Sequence, residues 1–429
     1  MVVPRAELES IRLKNRKRRR IIWLSVAGVL VAVIAFLAVI NFTDVIFGLS
    51  DKFDSSATGN AWTMFRRDLQ RSGNTDEASS VPAGEIAWTF QTGESIHSSP
   101  AVVDGVVYFG SRDYYIYALN AETGKEIWKF KTGSWVESSP IVANGVLYCG
   151  SNDGNLYAIN AETGEKIWEF GAKYPVRSSP ALANGKVYFG ADDWKVYAVD
   201  IRNGKKAWSF NADNIVTSSP LVVDGVVAIG GVDGNFYCIN AASGRKRLEL
   251  QGKSMVASSP AEKDGVVYFI NSAGNVYAID PTAKNWWGEN ILKKYWEALY
   301  VYGVAPKPPA SSGLLWSKKV GSGVDAISSV AVADDNLYFG AGNSIYSMDI
   351  AAGEINWSTS FEDSISSSPA VGNDALYFGC YNGNLYAVDR VTGEELWHVD
   401  TGARIESSPA AANGMIYVGS FDGKLYAIK

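Results

Sequence analysis

The chain contains few cysteines and histidines, and this excludes several kinds of site. The 429 residues include three cysteines, Cys149, Cys238 and Cys380, and two histidines, His97 and His398. The cysteines fall in well-separated repeats, too far apart for a disulfide, so we interpret them as small core residues. The histidines are too far apart in sequence to suggest a His-rich metal site. The sequence also contains no phosphate-binding glycine loop.

Acidic residues outnumber basic ones, and the basic residues are unevenly placed along the chain. The net charge is −6 and the pI about 5.2, which argues against a nucleic-acid partner for the folded part. Residues 12–20 carry a basic cluster, and residues 21–40, IIWLSVAGVLVAVIAFLAVI, carry no charge. Twenty apolar residues match the thickness of a bilayer core. We predict a cytoplasmic basic segment (1–20), a single transmembrane helix (21–41) and a folded part on the periplasmic or extracellular side.

A cleaved signal peptide is the alternative interpretation of this N-terminal region. Its apolar core would be shorter and would end at a small-x-small cleavage site, for which Gly48-x-Ser50 is a poor match. No cysteine follows the apolar run at which a lipid could be attached. We therefore predict an uncleaved signal-anchor, followed by a tether and lead-in over residues 42–83.

A Ser-Ser-Pro motif recurs along the remainder of the chain. It begins at residues 98, 138, 178, 218 and 258, with a degenerate Ser-Ser-Val copy at 328 and further copies at 367 and 407. Repeats of this length indicate a propeller or a solenoid. Within 138–172, four short apolar runs alternate with turn signals such as Asn144-Gly145 and Asp153-Gly154, which predicts four antiparallel strands per repeat.

The phase of the repeats predicts how the ring closes. The first strand of the fourth type, residues 85–90, precedes every Ser-Ser pair, and the last repeat ends at Lys429 after its third strand. The N-terminal strand should therefore complete the C-terminal blade and leave no unpaired edge. We predict an all-β fold, an eight-bladed β-propeller of four-stranded antiparallel blades over residues 84–429.

The repeats resemble those of a known family. The segment Ala118-x-Asn120-x-x-Thr123-Gly124-x-x-x-Trp128 looks like the tryptophan-docking motif of PQQ-binding-like, quinoprotein-type eight-bladed propellers, and Trp62-x-Met64-Phe65 opens a similar lead-in. The resemblance implies that each docking tryptophan packs between neighbouring blades. Leu248 replaces the tryptophan in the repeat that we assign to blade five.

This family contains both enzymes and scaffolds, so the fold does not decide the function. The resemblance implies that its dehydrogenases hold PQQ and Ca²⁺ in the central funnel, with a carboxylate set and often an adjacent cysteine pair. The sequence contains no cysteine pair and no recognisable carboxylate set, and Asp153 and Asp233 are explained as turn residues. We therefore predict no catalytic, cofactor-binding or metal-binding residue and expect neither PQQ nor calcium.

The residues that precede the Ser-Ser pairs differ between blades and mark a candidate partner-binding funnel. We expect charged side chains on four adjacent blades, with aromatic residues on nearby loops, a composition typical of interaction hot spots. The alternative is that the charges form an ion-pair cluster that satisfies only itself. The candidate residues are His97, Glu137, Arg177, Glu406, Trp135, Tyr174, Trp194, Tyr114 and Tyr381.

Blade five carries an insertion, residues 281–313, between its third and fourth strands. Apolar residues between 291 and 300 recur with helical spacing, which predicts an amphipathic helix, and the prolines at 306, 308 and 309 end it. The helix either packs on the ring or docks a partner or the membrane interface. The candidate docking residues are Trp286, Trp287, Tyr295 and Trp296.

Together these features favour a membrane-anchored, non-catalytic scaffold that binds other envelope or membrane proteins. Among the scaffolds of the family is a subunit of the outer-membrane barrel-assembly machinery, so envelope protein assembly is the expected context. We expect a monomeric propeller that binds no nucleic acid. The alternatives are a PQQ-dependent dehydrogenase and an envelope sensor or carbohydrate-binding module.

Overall fold

A computed structural model describes residues 63–68, 70–73, 81–252, 254–321 and 327–429. The predicted basic segment (1–20), the predicted transmembrane helix (21–41) and most of the predicted tether lie outside these residues. Within the described ranges, no helix is both long and apolar enough to cross a membrane.

Eight four-stranded antiparallel sheets form the blades of the propeller, as the repeats predict. The first strand of each blade lines the central channel and the fourth forms the outer edge. Blade one comprises β2 (Ala101–Val103), β3 (Val106–Gly110), β4 (Tyr115–Asn120) and β5 (Glu126–Lys131). Blade two comprises β6 (Ile141–Ala143), β7 (Val146–Gly150), β8 (Asn155–Asn160) and β9 (Lys166–Gly171). Blade three comprises β10 (Ala181–Ala183), β11 (Lys186–Ala191), β12 (Lys195–Asp200) and β13 (Lys206–Asn211).

The next four blades repeat this order. Blade four comprises β14 (Leu221–Val223), β15 (Val226–Gly230), β16 (Asn235–Asn240) and β17 (Lys246–Gln251). Blade five comprises β18 (Ala261–Lys263), β19 (Val266–Ile270), β20 (Asn275–Ile279) and β21 (Leu314–Lys319). Blade six comprises β22 (Ala331–Ala333), β23 (Asn336–Ala341), β24 (Ser344–Asp349) and β25 (Ile355–Ser360). Blade seven comprises β26 (Ala370–Val371), β27 (Ala375–Gly379), β28 (Asn384–Asp389) and β29 (Glu395–Asp400).

Blade eight is built from both ends of the ring, which confirms the predicted closure. Its strands are β30 (Ala410–Ala412), β31 (Met415–Gly419), β32 (Lys424–Ile428) and the N-terminal β1 (Ile86–Gln91), and β1 pairs antiparallel with β32. Just beyond the strands, Glu85 and Lys429 exchange backbone hydrogen bonds of 3.1 and 2.9 Å. The ring therefore closes by hydrogen bonding, and the third strand of blade eight is not left as an unpaired edge.

The Ser-Ser pairs have a structural role at the centre of the ring. In every blade the backbone N–H of the second serine donates to the Oγ of the second serine in the next blade, at 2.9–3.0 Å, and all eight donors and acceptors are buried. This closed circle of hydrogen bonds includes Ser329 of the degenerate repeat. Buried polar groups need such partners, which explains why serine recurs here.

The docking tryptophans pack between blades, as the resemblance implies. The Trp128 ring lies against Gly164 of the next blade, and its indole N–H donates to the Ala161 carbonyl at 2.9 Å. A Cβ on Gly164 would lie within 3.0 Å of the Trp128 ring. Leu248 takes this position on β17, so it belongs to blade four and our assignment to blade five is wrong. The assignment is wrong because residues 85–90 are the fourth strand of blade eight and not of blade one. Each later fourth strand therefore belongs to the blade before the one that a simple count along the chain gives.

The insertion in blade five forms one helix, α1 (Glu289–Val301), among the described residues. The segment before α1 runs along the outer edge of blade four, where Asn285 Oδ1 accepts the backbone N–H of Glu249 at 2.7 Å. The helix prediction is therefore confirmed.

Candidate functional site

Glu137 is the centre of a charge network at the mouth of the channel. Its Oε1 accepts from Arg112 Nε at 2.8 Å and also contacts Arg112 Nη2, and its Oε2 accepts from Asn152 Nδ2 at 3.0 Å. Arg177 Nε lies 3.5 Å from the same Oε2. Burial alone would raise the pKa of Glu137, but the hydrogen bonds from Asn152 and Arg112 hold it below its ordinary value. Glu137 is therefore ionised at neutral pH.

Arg177 links this network to blade three. Its Nη1 lies 3.3 Å from Asp192 Oδ2. Burial raises the pKa of Asp192, although Arg177 opposes the shift. The other carboxylate oxygen of Asp192 is buried and makes no hydrogen bond within the described part of the chain. Arg177 itself stays partly exposed at 43%, so it can still meet a partner.

Glu406 and His97 form a second group on blades eight and one. His97 Nδ1 lies 3.1 Å from Glu406 Oε2, and Arg404 Nε lies 3.5 Å from Oε1. The Arg404 guanidinium stacks 3.9 Å over the Phe421 ring, and the His97 ring packs 4.1 Å from Phe421. Burial would raise the pKa of Glu406, but His97 and Arg404 lower it. Arg112 lies 5.9 Å over Phe421 as well, so the two groups are adjacent.

The structure therefore brings together all four charged candidates, His97, Glu137, Arg177 and Glu406. Glu137 pairs with Arg177 and Glu406 pairs with His97. Each carboxylate is also held by an arginine that sequence analysis did not identify, Arg112 or Arg404. Arg112 lies in the hairpin between the second and third strands of blade one, and Arg404 lies two residues before Glu406 in the same loop. Both positions recur in the repeats, so the sequence could have revealed them. The remaining positions before the Ser-Ser pairs are uncharged: Thr217, Ala257, Ile327 and Ser366.

Four of the five predicted aromatic residues lie on loops of blades one to three. Four are solvent-exposed, Tyr114, Trp135, Tyr174 and Trp194, with 42–58% of each side chain accessible. The Arg112 guanidinium lies 4.8 Å from the Trp135 ring, which attaches this ring to the network by a cation–π contact. The fifth candidate, Tyr381, is half-buried on blade seven, where Arg404 stacks on it at 5.6 Å.

Tyr114 and Trp194 have an unusual backbone conformation. Each occupies the left-handed position of the hairpin between the second and third strands, with φ of 78° and 67°. Five sister blades have glycine there, with φ between 76° and 92°: Gly154, Gly234, Gly274, Gly383 and Gly423. A side chain in this region costs about 1–2 kcal/mol, and large aromatics are rare in it. The carbonyls of Tyr114 and Trp194 accept the N–H groups of Thr132 and Ala212 at 2.8 Å, which holds both hairpins in place.

The other mouth of the channel is crossed by the lead-in, a feature that sequence analysis missed. Backbone carbonyls of the lead-in accept N–H groups from the first strands of four blades: Thr63 from Val142, Gln70 from Glu262, Ser72 from Val332 and Gly73 from Val371, at 2.6–3.0 Å. The segment thus replaces the missing partners of these inner strands. No repeat signal marks it, because it occurs once.

The lead-in inserts two arginines, Arg66 and Arg71, which are fully buried in the channel. Arg71 Nε donates to the Pro220 carbonyl at 2.8 Å, and Arg66 Nη1 donates to the Ser259 carbonyl at 3.4 Å. Burial lowers the pKa of both guanidiniums to about 9, so both are charged at neutral pH. They satisfy carbonyls that face the channel from blades three, four and five.

The residues of the funnel do not fit the calcium and quinone set implied by the resemblance. Within the described ranges, no cluster of three or more His, Cys, Asp or Glu side chains is placed to hold a metal ion. The funnel carboxylates face arginines or histidine of the chain itself. Asp153 acts in its turn, where its carboxylate accepts from Tyr157 Oη and the Gly133 N–H, each at 2.7 Å.

The insertion presents its apolar side to solvent. Its polar residues Asn290, Lys293, Lys294 and Glu297 line a groove of about 620 Å³ against blade four, where Asp213, Asp233 and Glu249 lie opposite. The four apolar side chains on the other side of α1 are 44–68% exposed: Ile291, Leu292, Tyr295 and Leu299. The candidate Trp287 is 88% exposed and Trp286 39%, whereas Trp296 is half-buried and donates to the Pro306 carbonyl at 2.8 Å.

Glu289 fixes the start of this helix. Its carboxylate is buried and accepts from the backbone N–H of Ser312 at 2.8 Å, from Ser312 Oγ at 2.6 Å and from Asn285 Nδ2 at 3.0 Å. Burial would raise the pKa of Glu289, but these hydrogen bonds lower it. One carboxylate thus ties together both ends of the insertion.

Comparison with solved structures confirms the fold and leaves the activity open. BamB from Moraxella catarrhalis aligns over 80% of this chain and 96% of its own, with a TM-score of 0.62 and 15% identity. Quinohemoprotein alcohol dehydrogenase from Comamonas testosteroni aligns over 88% of this chain and 82% of its own, with a TM-score of 0.70 and 13% identity. A europium-containing methanol dehydrogenase gives 0.68 at 13% identity, covering 85% of this chain and 91% of its own. At these identities the likeness concerns the fold alone.

Among curated proteins, none matches this sequence. The family described as outer membrane protein assembly factor BamB matches residues 76–286 and 301–429, which is most of the ring. The repeats, the closure and the docking tryptophans agree with this match, and the chain belongs to that family of PQQ-like propellers.

Proposed function

We propose that this protein is a membrane-anchored, extracytoplasmic scaffold that binds another envelope protein on the funnel face of blades one to three and carries out no chemistry itself. The observation that carries the proposal is the left-handed conformation of Tyr114 and Trp194. Strained residues that persist in a regular array point to function. Here the same array offers glycine at the equivalent position in five other blades.

The charge network suits a binding surface more than a reaction centre. Arg112 and Arg404 are each held by a carboxylate and stacked on an aromatic ring. A surface fixed in this way loses little conformational freedom when a partner binds. Exposed tryptophan, tyrosine and arginine are the residues that contribute most to protein–protein affinity. A protein surface with complementary charge is therefore the expected partner.

The anchoring belongs to the proposal because the residues that would form the membrane span lie outside the described part. It rests on the charge-free run 21–40 and the basic cluster before it. A bilayer-length apolar segment with positive charge on one side orients that side to the cytoplasm. The propeller would then lie on the periplasmic or extracellular side, and the BamB family description makes envelope protein assembly the proposed context.

Site-specific photocrosslinking in native membranes tests the partner surface. A benzophenone amino acid replaces Trp194 or Tyr174 in the full chain, and a matched control replaces Val391, which is 77% exposed on blade seven. We expect one discrete crosslinked protein from positions 194 and 174 that is missing from position 391. The Trp135→Ala and Arg177→Ala variants should weaken this crosslink.

Two results would contradict the proposal. One is a crosslink pattern that is identical at positions 194, 174 and 391. The other is binding of a defined glycan that Trp194→Ala abolishes, with no protein crosslink, because this outcome identifies a carbohydrate-binding module instead.

A further inference from the structure

Nearly half of the large exposed apolar side chains belong to the insertion. Among described residues, 22 large hydrophobic side chains are exposed, and 10 of them lie between Trp286 and Val304. Six others repeat around the ring one or two residues before the docking tryptophan of an outer strand: Ile86, Ile127, Ile167, Leu315, Ile355 and Leu396. The exposure of the repeated side chains follows from their position on the outer strands. The exposed side chains of the insertion have no counterpart in other blades and need another explanation.

The orientation of α1 is the reverse of an ordinary surface helix. An amphipathic helix on a globular protein turns its apolar stripe to the core. At about 100° per residue, Asn290, Lys294 and Glu297 lie opposite to Leu292, Tyr295 and Leu299. The first three line the groove against blade four, and the second three are exposed. The polar side of the helix therefore faces the groove, where Lys294 and Glu297 stay exposed, and the apolar side faces away from the ring.

The exposed side has the composition of a membrane-interface helix. It presents Trp287, Tyr295 and Tyr302, of which 88%, 68% and 82% is accessible, beside the aliphatic Ile291 and Val304. Tryptophan and tyrosine concentrate at the level of lipid headgroups. A helix with one such face lies in the plane of the interface, with its apolar side among the acyl chains.

The position of the predicted anchor favours a bilayer as the occupant. Twenty-one residues, 42–62, separate the predicted transmembrane helix from the described lead-in. Fully extended, they reach about 70–75 Å at ~3.5 Å per residue, and this length limits how far the ring can move from the membrane. A tethered weak contact benefits from high effective concentration.

We infer that the apolar face of α1, with Trp287 and Tyr302 at its two ends, inserts into the interface of the bilayer that anchors the chain. This inference rests on the proposed membrane anchoring. It gives the propeller a second membrane contact from its side, beyond the tether. The ring would then be held in one orientation, with the funnel face of blades one to three turned to a partner.

A spin label at position 302 tests this inference on the full chain in phospholipid nanodiscs. All three native cysteines are buried, so Tyr302→Cys supplies the reactive thiol and Val391→Cys the matched control. The readout compares collisions with oxygen, which dissolves in lipid, and with a water-soluble nickel chelate. We expect the oxygen-to-nickel ratio at position 302 to exceed that at 391 by about threefold or more, because the label lies among acyl chains. Adding Ile291→Glu and Tyr295→Glu should bring the ratio at 302 down to that of the control.

Equal ratios at 302 and 391 would overturn the inference. Dipolar broadening between labels at 302, with a low oxygen ratio, would overturn it in favour of a contact between two copies of the chain. Alkaline carbonate washing of the same membranes reports on the anchor separately. Protein that resists washing but carries a water-exposed label contradicts the inference and leaves the proposed anchoring intact, whereas protein that washes off contradicts the anchoring itself.

Discussion

The funnel face of blades one to three and the insertion α1 both expose aromatic side chains, but they are built in opposite ways. The funnel aromatics stand on hairpins of the ring, above a network in which Glu137 holds Arg112 and Arg177. The apolar face of α1 stands on an added helix that Glu289 ties to Ser312 and Asn285. The first surface is built from loops that connect the strands of the ring, while the second is an insertion between two strands of blade five. Each surface contains one carboxylate with several partners, Glu137 in the funnel and Glu289 in the insertion, so substituting each one exposes the difference.

Replacing Glu137 with leucine should give the largest effect on global stability. Arg112 then loses its carboxylate while it remains largely buried, whereas the exposed Arg177 keeps Asp192. Because only part of the network is buried, the cost is about 2 kcal/mol, less than for a fully buried pair. Chemical denaturation measures the change in unfolding free energy. The matched control is Glu169→Leu on an outer strand, where an exposed pair with Lys166 contributes at most about 0.5 kcal/mol. Equal losses in the two variants would show that the funnel network is not a structural unit.

Replacing Glu289 with alanine should act locally. Losing this acceptor leaves the Ser312 N–H without its partner, at a cost of about 1–3 kcal/mol. The loss should lower the free energy needed to open the insertion locally and leave the free energy of global unfolding unchanged. Trypsin cleavage after Lys293 or Lys294 should accelerate by about tenfold or more, with the unfolding midpoint of the ring unchanged. Glu297→Ala, an exposed acid on the same helix, serves as control and should cleave at the wild-type rate. Global destabilisation equal to that of Glu137→Leu would contradict the distinction between the two surfaces.

Replacing Tyr114 or Trp194 with glycine should stabilise the ring. Relief of the left-handed strain outweighs the added freedom of the unfolded chain, for a net gain of about 0.5–1 kcal/mol at each position. Tyr174→Gly is the control, since its backbone is not left-handed, and it should lose about 0.5–1 kcal/mol. Thermal unfolding of the three variants measures these changes. A loss of stability at all three positions would mean that no strain is stored at 114 and 194.

The smallest expected effect concerns acid. Because the pKa values of Glu137 and Glu406 are below the ordinary 4.5 when folded, their ionisation stabilises the ring above that pH. This stabilisation is lost as the pH falls through the pKa values that the two carboxyl groups have in the folded protein. Asp192 has the opposite effect on stability, because burial raises its pKa in the folded protein. Protonation at low pH removes the cost of burying its charge and so stabilises the ring. Between pH 5 and about 3, the stability of Glu137→Gln should fall less steeply than that of the wild type, and that of Asp192→Asn more steeply. Identical slopes would contradict the assigned shifts.

The repeating parts of the molecule could be predicted from the sequence, while the parts that occur once could not. The serine period and its phase predicted eight blades and the pairing of residues 85–90 with the last one, because hydrogen-bonded strands impose that period. The grouping of the charged funnel residues could also be predicted, because the residue before each Ser-Ser pair lies at the channel in every blade. Arg66 and Arg71 were missed because no repeat marks a segment that crosses the channel once. The reversed orientation of α1 was missed because apolar spacing shows that a helix is amphipathic but not which side meets the ring.

The most direct measurement combines stability and partner capture for the Tyr114→Gly, Trp194→Gly double variant. If the strained aromatics are kept for binding, the double variant should unfold at a higher temperature than the wild type. It should also lose the crosslink formed from position 174 in native membranes. A variant that is more stable and still captures the same partner would contradict the claim that the funnel face of blades one to three is the binding surface.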